Sequence, residues 1–292
     1  MNRRTFSLEG AVFAAPAPPA GLHVVATPIG NLRDITLRAL DILAGADAVL
    51  CEDTRVARTL MDHFAISATL IAYHEHNAAE MRPKILARLA AGEALALTSD
   101  AGTPLVSDPG YKLVGDALAA GAAVYAAPGA SALLAGLVVA GLPTDAFFFA
   151  GFLPPKSAAR RARLAELRMT PGTLVFYESP RRIAETLADC IAALGDRPAA
   201  TARELTKKFE TTRRGRLSDL AALYAQGEET RGEMVLLIAP PQPEEADEAT
   251  LDARLLATMQ THSVKDAAAI VAGETGLPRR EVYARALRLG GK

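Results

Sequence analysis

The chain contains no tryptophan, only 5% aromatic residues and only two cysteines among 292 residues. Cys51 and Cys190 lie far apart, so neither a disulfide framework nor a CxxC zinc signature is present, and a reducing cytosol suits such a chain. No run of about 18 uncharged apolar residues points to a membrane span. Glu9 interrupts the segment that a secretion signal would need to keep apolar. Net charge is also scarce. A formal balance of -1 gives no bulk attraction for nucleic acid. There is no GxGxxG loop, and no Ser–His–acid arrangement accompanies Ser99, Ser107 or Ser131. His74 and His76 alternate, but no third metal ligand accompanies them, so no metal is expected.

What is present is apolar mass and unevenly placed charge. Half of the residues are hydrophobic, enough for a sizeable core. Residues 156–168 hold five basic side chains against Glu166, 203–216 hold six against Glu204 and Glu210, and 277–292 hold five against Glu281. The acidic offset is concentrated in Glu244, Glu245, Asp247, Glu248 and Asp252.

Short apolar runs at 22–26, 48–51, 94–98 and 122–126 alternate with helical stretches at 36–43, 55–62, 78–91 and 111–119. That alternation predicts a mostly parallel sheet covered on both faces. After a break at Gly141-Leu-Pro143 it resumes with strands at 146–152, 173–178, 200–204 and 234–239 and helices at 157–168, 181–193 and 217–225. The expected organisation is a disordered extension over 1–20, α/β domains over 21–141 and 142–241, a Pro-rich acidic linker over 242–250, and a helical domain over 251–292. In the last, helices at 251–259, 264–275 and 279–289 are expected, with Ser263 as a cap and Gly276 as a stop, in a helix-turn-helix-like arrangement. Glu281 and Arg285 are spaced to pair on the last helix, and Val282, Ala286 and Leu289 form its apolar side.

In an open α/β sheet, ligands bind beyond the carboxyl ends of the strands. There the first domain places Thr27-Pro-Ile-Gly-Asn31, Glu52-Asp53-Thr54-Arg55, Ser99-Asp-Ala-Gly-Thr-Pro104 and Pro128-Gly-Ala-Ser131. Any one of these is an ordinary turn, and Asp53 or Asp100 can simply cap a helix. Together they line one rim with small and acidic residues, which suits a polar, cationic ligand.

These loops carry a resemblance. The segments ATPIGNLRDIT (26–36), CEDTR (51–55), YHEHN (73–77), TSDAGTPLVSDPGY (98–111), FYESPRR (176–182), ARELTKKFE (202–210) and RGEMVLL (231–237) run in the order found in the tetrapyrrole methylase superfamily. Within it they resemble the branch that modifies small-subunit ribosomal RNA. The long segment 128–156 and the tail 264–287 extend the resemblance. It implies two α/β domains of the tetrapyrrole methylase type with S-adenosylmethionine in the cleft between them, plus a small C-terminal helical domain. It further implies a cytoplasmic homodimer that 2′-O-methylates the ribose of a cytidine in the decoding region of 16S rRNA within the 30S subunit. By the superfamily's pattern, Ile29, Gly30, Asp100, Gly102, Thr103, Ser131, Ala132, Tyr177 and Ala202 should meet the cofactor.

The hydroxyl to be methylated is a weak nucleophile, and a carboxylate or a lysine of lowered pKa would activate it. Glu52, Asp53, Glu178, Glu204, Lys207 and Lys208 lie at or just beyond strand ends and are the candidates; salt bridges along the rim are the alternative for each. Arg55, Lys156, Arg160, Arg161, Arg163, Arg181, Arg182, Arg203, Arg279 and Arg280 are the candidate contacts to RNA phosphates. Two other readings remain open: a precorrin-type ring methylase, against which ATPIGN and the helical tail speak, and an RNA-binding ribosome-assembly module.

Overall fold

The structure is a computed structural model that describes residues 4–106, 110–227, 231–241, 248–275 and 277–290. Ser107–Pro109 of the segment TSDAGTPLVSDPGY, linker residues 242–247 and the stop at Gly276 lie outside the described residues. By its contacts the chain divides into two compact units, residues 1–239 and 240–292.

The first unit begins with a hairpin, not the expected disordered extension. Strands β1 (Thr5–Leu8) and β2 (Ala11–Ala14) pair antiparallel about Glu9-Gly10, whose left-handed backbone makes the turn. Phe6 is buried in the core, the Ser7 N–H donates to the Phe64 carbonyl at 2.7 Å, and Arg4 pairs with Asp47 at 2.6 Å. Proline and alanine richness concealed these tertiary anchors, which no local pattern reports.

The first lobe follows as β3 (Gly21–Val25), α1 (Leu37–Gly45), β4 (Ala48–Cys51), α2 (Thr54–His63), β5 (Leu70–Ala72), α3 (Ala78–Ala90), β6 (Ala94–Leu97), α4 (Tyr111–Ala119), β7 (Val124–Ala127) and α5 (Ala132–Val139). Its sheet has the order β5-β4-β6-β3-β7 with every pairing parallel. Strands β4 and β6 are buried at every position, because helices cover both faces and an apolar run without alternation is what such strands need. Thr36, Asp53 and Ser131 cap α1, α2 and α5 by accepting backbone N–H groups, so the 52–55 and 128–131 loops of the rim also start helices.

The second lobe contains β8 (Phe147–Phe152), α6 (Ser157–Leu167), β9 (Thr173–Glu178), α7 (Ile183–Leu194), β10 (Pro198–Arg203), β11 (Thr211–Arg216), α8 (Leu217–Ala225) and β12 (Met234–Ile238). Its sheet, in the order β11-β10-β12-β9-β8, is mixed. Only β8 and β9 are parallel; β12 runs antiparallel to both β9 and β10, and β11 antiparallel to β10. Strand β11, TTRRGR, was not legible as a strand because it is an edge whose charged side chains discourage further pairing.

The second unit comprises α9 (Glu248–Met259), α10 (Val264–Thr275) and α11 (Arg279–Gly290). Helix α9 starts inside the stretch expected to be linker. Leu251, Leu255, Ala268, Val271, Val282 and Ala286 form a core of their own. The apolar side of α11 is thus used within the unit. The Ser263 hydroxyl takes the Asp266 N–H at 3.2 Å, as a cap should. Arg285 bonds Asp252 of α9 at 2.5 Å rather than the expected Glu281, so this charge holds two helices together.

Candidate active site

The rim of the first sheet is a set of loops tied to one another. After β3, Thr27 and Gly102 exchange two backbone hydrogen bonds, at 2.8 and 3.0 Å. Gly102 sits at φ +78°, a conformation that glycine adopts without cost. The Thr103 hydroxyl donates to the Ala130 carbonyl at 3.1 Å, and the Asp53 N–H donates to Asp100 Oδ1 at 3.2 Å. Four loops remote in sequence therefore form one backbone-lined edge.

This edge faces a cavity of about 430 Å³ closed from the other side by the second lobe. Ile29, Asp100, Gly102, Thr103, Ser131 and Ala132 line it from the first lobe, and Tyr177 and Ala202 from the second. Gly30 is the exception among the residues expected there. The methylene stem of Lys207 covers it, in the space a Cβ would take.

Sequence reasoning missed several of the walls. Gly232, Glu233 and Met234 lie at the amino end of β12, and the search beyond strand carboxyl ends passes over them. Because β12 is antiparallel, Met234 pairs with both Glu178 and Arg203, at the carboxyl ends of β9 and β10, so its start reaches the same edge. Phe152 also lines the cavity, and its run AFFFAGF reads only as a strand.

The candidate bases fare differently. Glu178 lines the cavity but is 2% exposed, and its two oxygens accept the Ser179 N–H and the Thr186 hydroxyl, each at 2.7 Å. Glu204 Oε1 accepts Lys207 Nζ at 2.9 Å and the Glu233 N–H at 3.0 Å. Burial pushes the Glu204 carboxyl up, but these bonds outweigh it and the net shift is downward. For Lys207 burial pulls down, yet Glu204 and Glu233, each 2.9 Å away, prevail and raise it. Lys207 is thus held as an ammonium, contrary to the lowered pKa a lysine base requires. Asp53 caps α2 and takes the Arg55 guanidinium at 2.6 Å, which holds its carboxyl at about 2, too acidic for an effective base near neutrality. Glu52, half-buried beside it, is not among the cavity walls, and Lys208 is exposed with its ammonium 5.6 Å from the Phe209 ring. Burial, with Asp100 and Asp53 nearby, pushes the Cys51 thiol up to about 11.

Among the candidate RNA contacts, Arg160 is a correction. Its side chain is 1% exposed and bonds Asp189 at 2.7 Å, a partner 29 residues away that helix periodicity cannot reveal. Arg182 is half-buried and donates to the Leu153 and Pro154 carbonyls at 3.0 and 3.1 Å. Lys156, Arg161 and Arg181 are exposed beside them, while Arg163 pairs with Glu166 at 2.7 Å. Arg55 is exposed but paired with Asp53, and Arg203 donates to the Arg231 carbonyl at 3.2 Å. Arg279 and Arg280 are exposed on α11 in the other unit. Among the described residues, no three His, Cys, Asp or Glu side chains gather as a metal site would need, and no helix is long and apolar enough to cross a membrane.

Residues 245–290 match the family described as RsmI C-terminal HTH domain. The chain is 51% identical over 277 residues to Ribosomal RNA small subunit methyltransferase I of Mesorhizobium japonicum, covering 94% of each chain. It is 43% identical to the protein of that name from Escherichia coli O157:H7, covering 92% of this chain and 96% of the other. Uroporphyrin-III C-methyl transferase from Thermus thermophilus, complexed with S-adenyl homocysteine, shares the fold at a TM-score of 0.51 and 22% identity, over 74% of this chain and 96% of that one. Residues 21–221 match the family described as Tetrapyrrole (Corrin/Porphyrin) Methylases, and the chain belongs to that family.

Proposed function

We propose that this chain is an S-adenosylmethionine-dependent methyltransferase of small-subunit ribosomal RNA. Within that class we propose the ribose 2′-oxygen of a cytidine in the 16S decoding region, on the 30S subunit in the cytoplasm, as the target. The observation that carries the reading is the cavity shared by the two lobes, whose walls come from three of the four interlocked loops and the edge of a second sheet. The names of the relatives supply the RNA class.

The residues present fit the cofactor. At about 430 Å³ the cavity is in the range for a small-molecule site. Ile29, Leu205 and Val235 give it apolar walls for an adenine, and Asp100 and Glu233 give it carboxylates suited to ribose hydroxyls and a positive sulfonium. Bound there, S-adenosylmethionine supplies a methyl group already activated for displacement.

The protein's own task is therefore chiefly alignment and exclusion of water. Ser131 and Ala132 begin α5, whose N-terminal dipole faces the cavity. Glu178 braces the turn that follows β9, through Ser179 and Thr186. Lys207 is clasped by Glu204 and Glu233 within the second lobe, and its methylene stem lies against Gly30 of the first. Asp100, oriented by the Asp53 N–H, is the carboxylate we assign to facing positive charge in the cavity.

A homodimer is part of the proposal. Tyr111 and Leu118 on α4 and Leu134 and Val138 on α5 are between 50% and 73% exposed, apolar surface of the kind association removes from water. Sedimentation tests the dimer. Calorimetry tests the site: Gly102→Val, which forces a branched side chain onto a left-handed backbone, should weaken S-adenosylmethionine at least about tenfold with the fold intact. Unchanged affinity would remove the cavity from the account.

A further inference from the structure

Phe152 is 62% exposed although it lines the cavity, so a large apolar ring stands uncovered inside a concave site. Its direction is the product of a β-bulge. Strands β8 and β9 pair in regular register from Phe147↔Thr173 to Phe149↔Val175, and continued regularity would set residue 151 opposite Tyr177. Instead the register shifts and Phe152 pairs with Tyr177. Side chains alternate between the faces of a sheet, so this one extra residue moves Phe152 from the far face to the face of Phe149 and Tyr177. Gly151, at φ +65°, supplies the backbone conformation for it.

The ring is then held in place. Tyr177 meets it edge to face at 5.6 Å, Leu153 is buried in the lobe's core, and Arg182 grips the Leu153 and Pro154 carbonyls. Through Arg182 the loop after β8 and the turn after β9 become one assembly, and each carries an exposed cation, Lys156 and Arg181. An exposed ring with a cation on each of the two adjoining loops matches a nucleotide, which offers a flat base to the ring and a phosphate to the cations. S-adenosylmethionine carries no phosphate, so these cations point away from the cofactor as the ring's partner.

We propose that Phe152 is the stacking platform for an unpaired nucleobase of the RNA substrate, with Lys156 and Arg181 holding the adjoining phosphates. This rests on the rRNA methyltransferase reading above. The test measures methylation of small subunits lacking the modification, with Phe152→Leu, Phe152→Ala and Phe152→Tyr beside the wild type, thermal melting as the control for folding, and cofactor affinity by calorimetry as a separate readout. Removing the ring should raise KM for the RNA about tenfold while leaving cofactor affinity unchanged, and Tyr should restore it. Because the chain has no tryptophan, Phe152→Trp adds a single indole that can be excited apart from the six tyrosines. Its emission should be quenched by a single-stranded RNA dodecamer added to cofactor-saturated protein. Wild-type KM in the Leu variant would overturn the proposal, as would weakened cofactor binding with an unchanged RNA KM, which would give the ring to the cofactor. Either result with an active wild type leaves the methyltransferase reading standing. A wild type that transfers no methyl group to the RNA ends both.

Discussion

The stem of Lys207 lies against Gly30, in the space that any side chain on Gly30 would enter. One residue belongs to the second lobe and the other to the strand-one loop of the first. Gly30 is also at φ +143°, so Gly30→Ala carries backbone strain as well as a clash with the clasp. Its expected cost is roughly 2 kcal/mol in chemical unfolding, together with loss of methylation. The cost should shrink when Lys207→Ala is added, since only the clash depends on Lys207. Strict additivity in that double-mutant cycle would mean that the two residues do not interact.

Arg160 gives a prediction opposite to its sequence reading. Removing it leaves Asp189 buried with only the Ser157 hydroxyl at 2.9 Å and Arg161 at 3.7 Å. Arg160→Leu should therefore destabilise the protein by about 3 kcal/mol. Arg161→Ala, at an exposed site, should leave the melting curve nearly unchanged and flatten the salt dependence of RNA binding. Measuring both variants by thermal melting and by RNA titration at several salt concentrations separates the roles. A stable Arg160→Leu with a flattened salt slope would return Arg160 to the RNA surface.

The contrast between these two arginines shows what a sequence does and does not reveal about the site. Gly, Pro, Asp and Ser after consecutive strands marked the rim, because tight turns require those residue types whatever their partners. Eight of the nine residues picked out on that basis and by family pattern line one cavity. Gly30 departs because its neighbour is Lys207, 177 positions further along the chain. The burial of Arg160 depends in the same way on Asp189. Helix α5 was not legible at all, since ALLAGLVV is apolar on every side and has no helical stripe.

Asp53 predicts a pH dependence. Its carboxyl lies at about 2 against an ordinary 3.8, first because of the Arg55 side chain, so it binds its proton less tightly in the folded protein. Its contribution to stability is then complete above the unfolded value near 4 and is lost as pH falls through 2. Arg55→Ala should move the Asp53 titration, followed by NMR, up toward 3.8, without restoring it fully, because the Arg55 and Val56 backbone N–H groups still bond it. A titration that stays at about 2 would assign the shift to the helix end alone.

The second unit has its own core, so deleting residues 240–292 should leave the cofactor affinity and melting temperature of the first unit intact. If Arg279 and Arg280 on its surface contact rRNA, the truncated protein should methylate small subunits poorly at low RNA concentration and recover toward normal kcat at saturation. An unchanged KM would show that the unit has no part in recognition.

The central claim is that the cavity delivers a methyl group to ribosomal RNA, and isotope transfer tests it most directly. Purified protein would be incubated with S-adenosylmethionine labelled in the methyl group and with 30S subunits from cells lacking the activity, and the labelled nucleotide mapped. The account predicts label in 16S rRNA, on a ribose 2′-oxygen of a decoding-region cytidine, and its loss with Gly102→Val. Absence of label from the RNA, with transfer instead to a tetrapyrrole such as a precorrin, would contradict it.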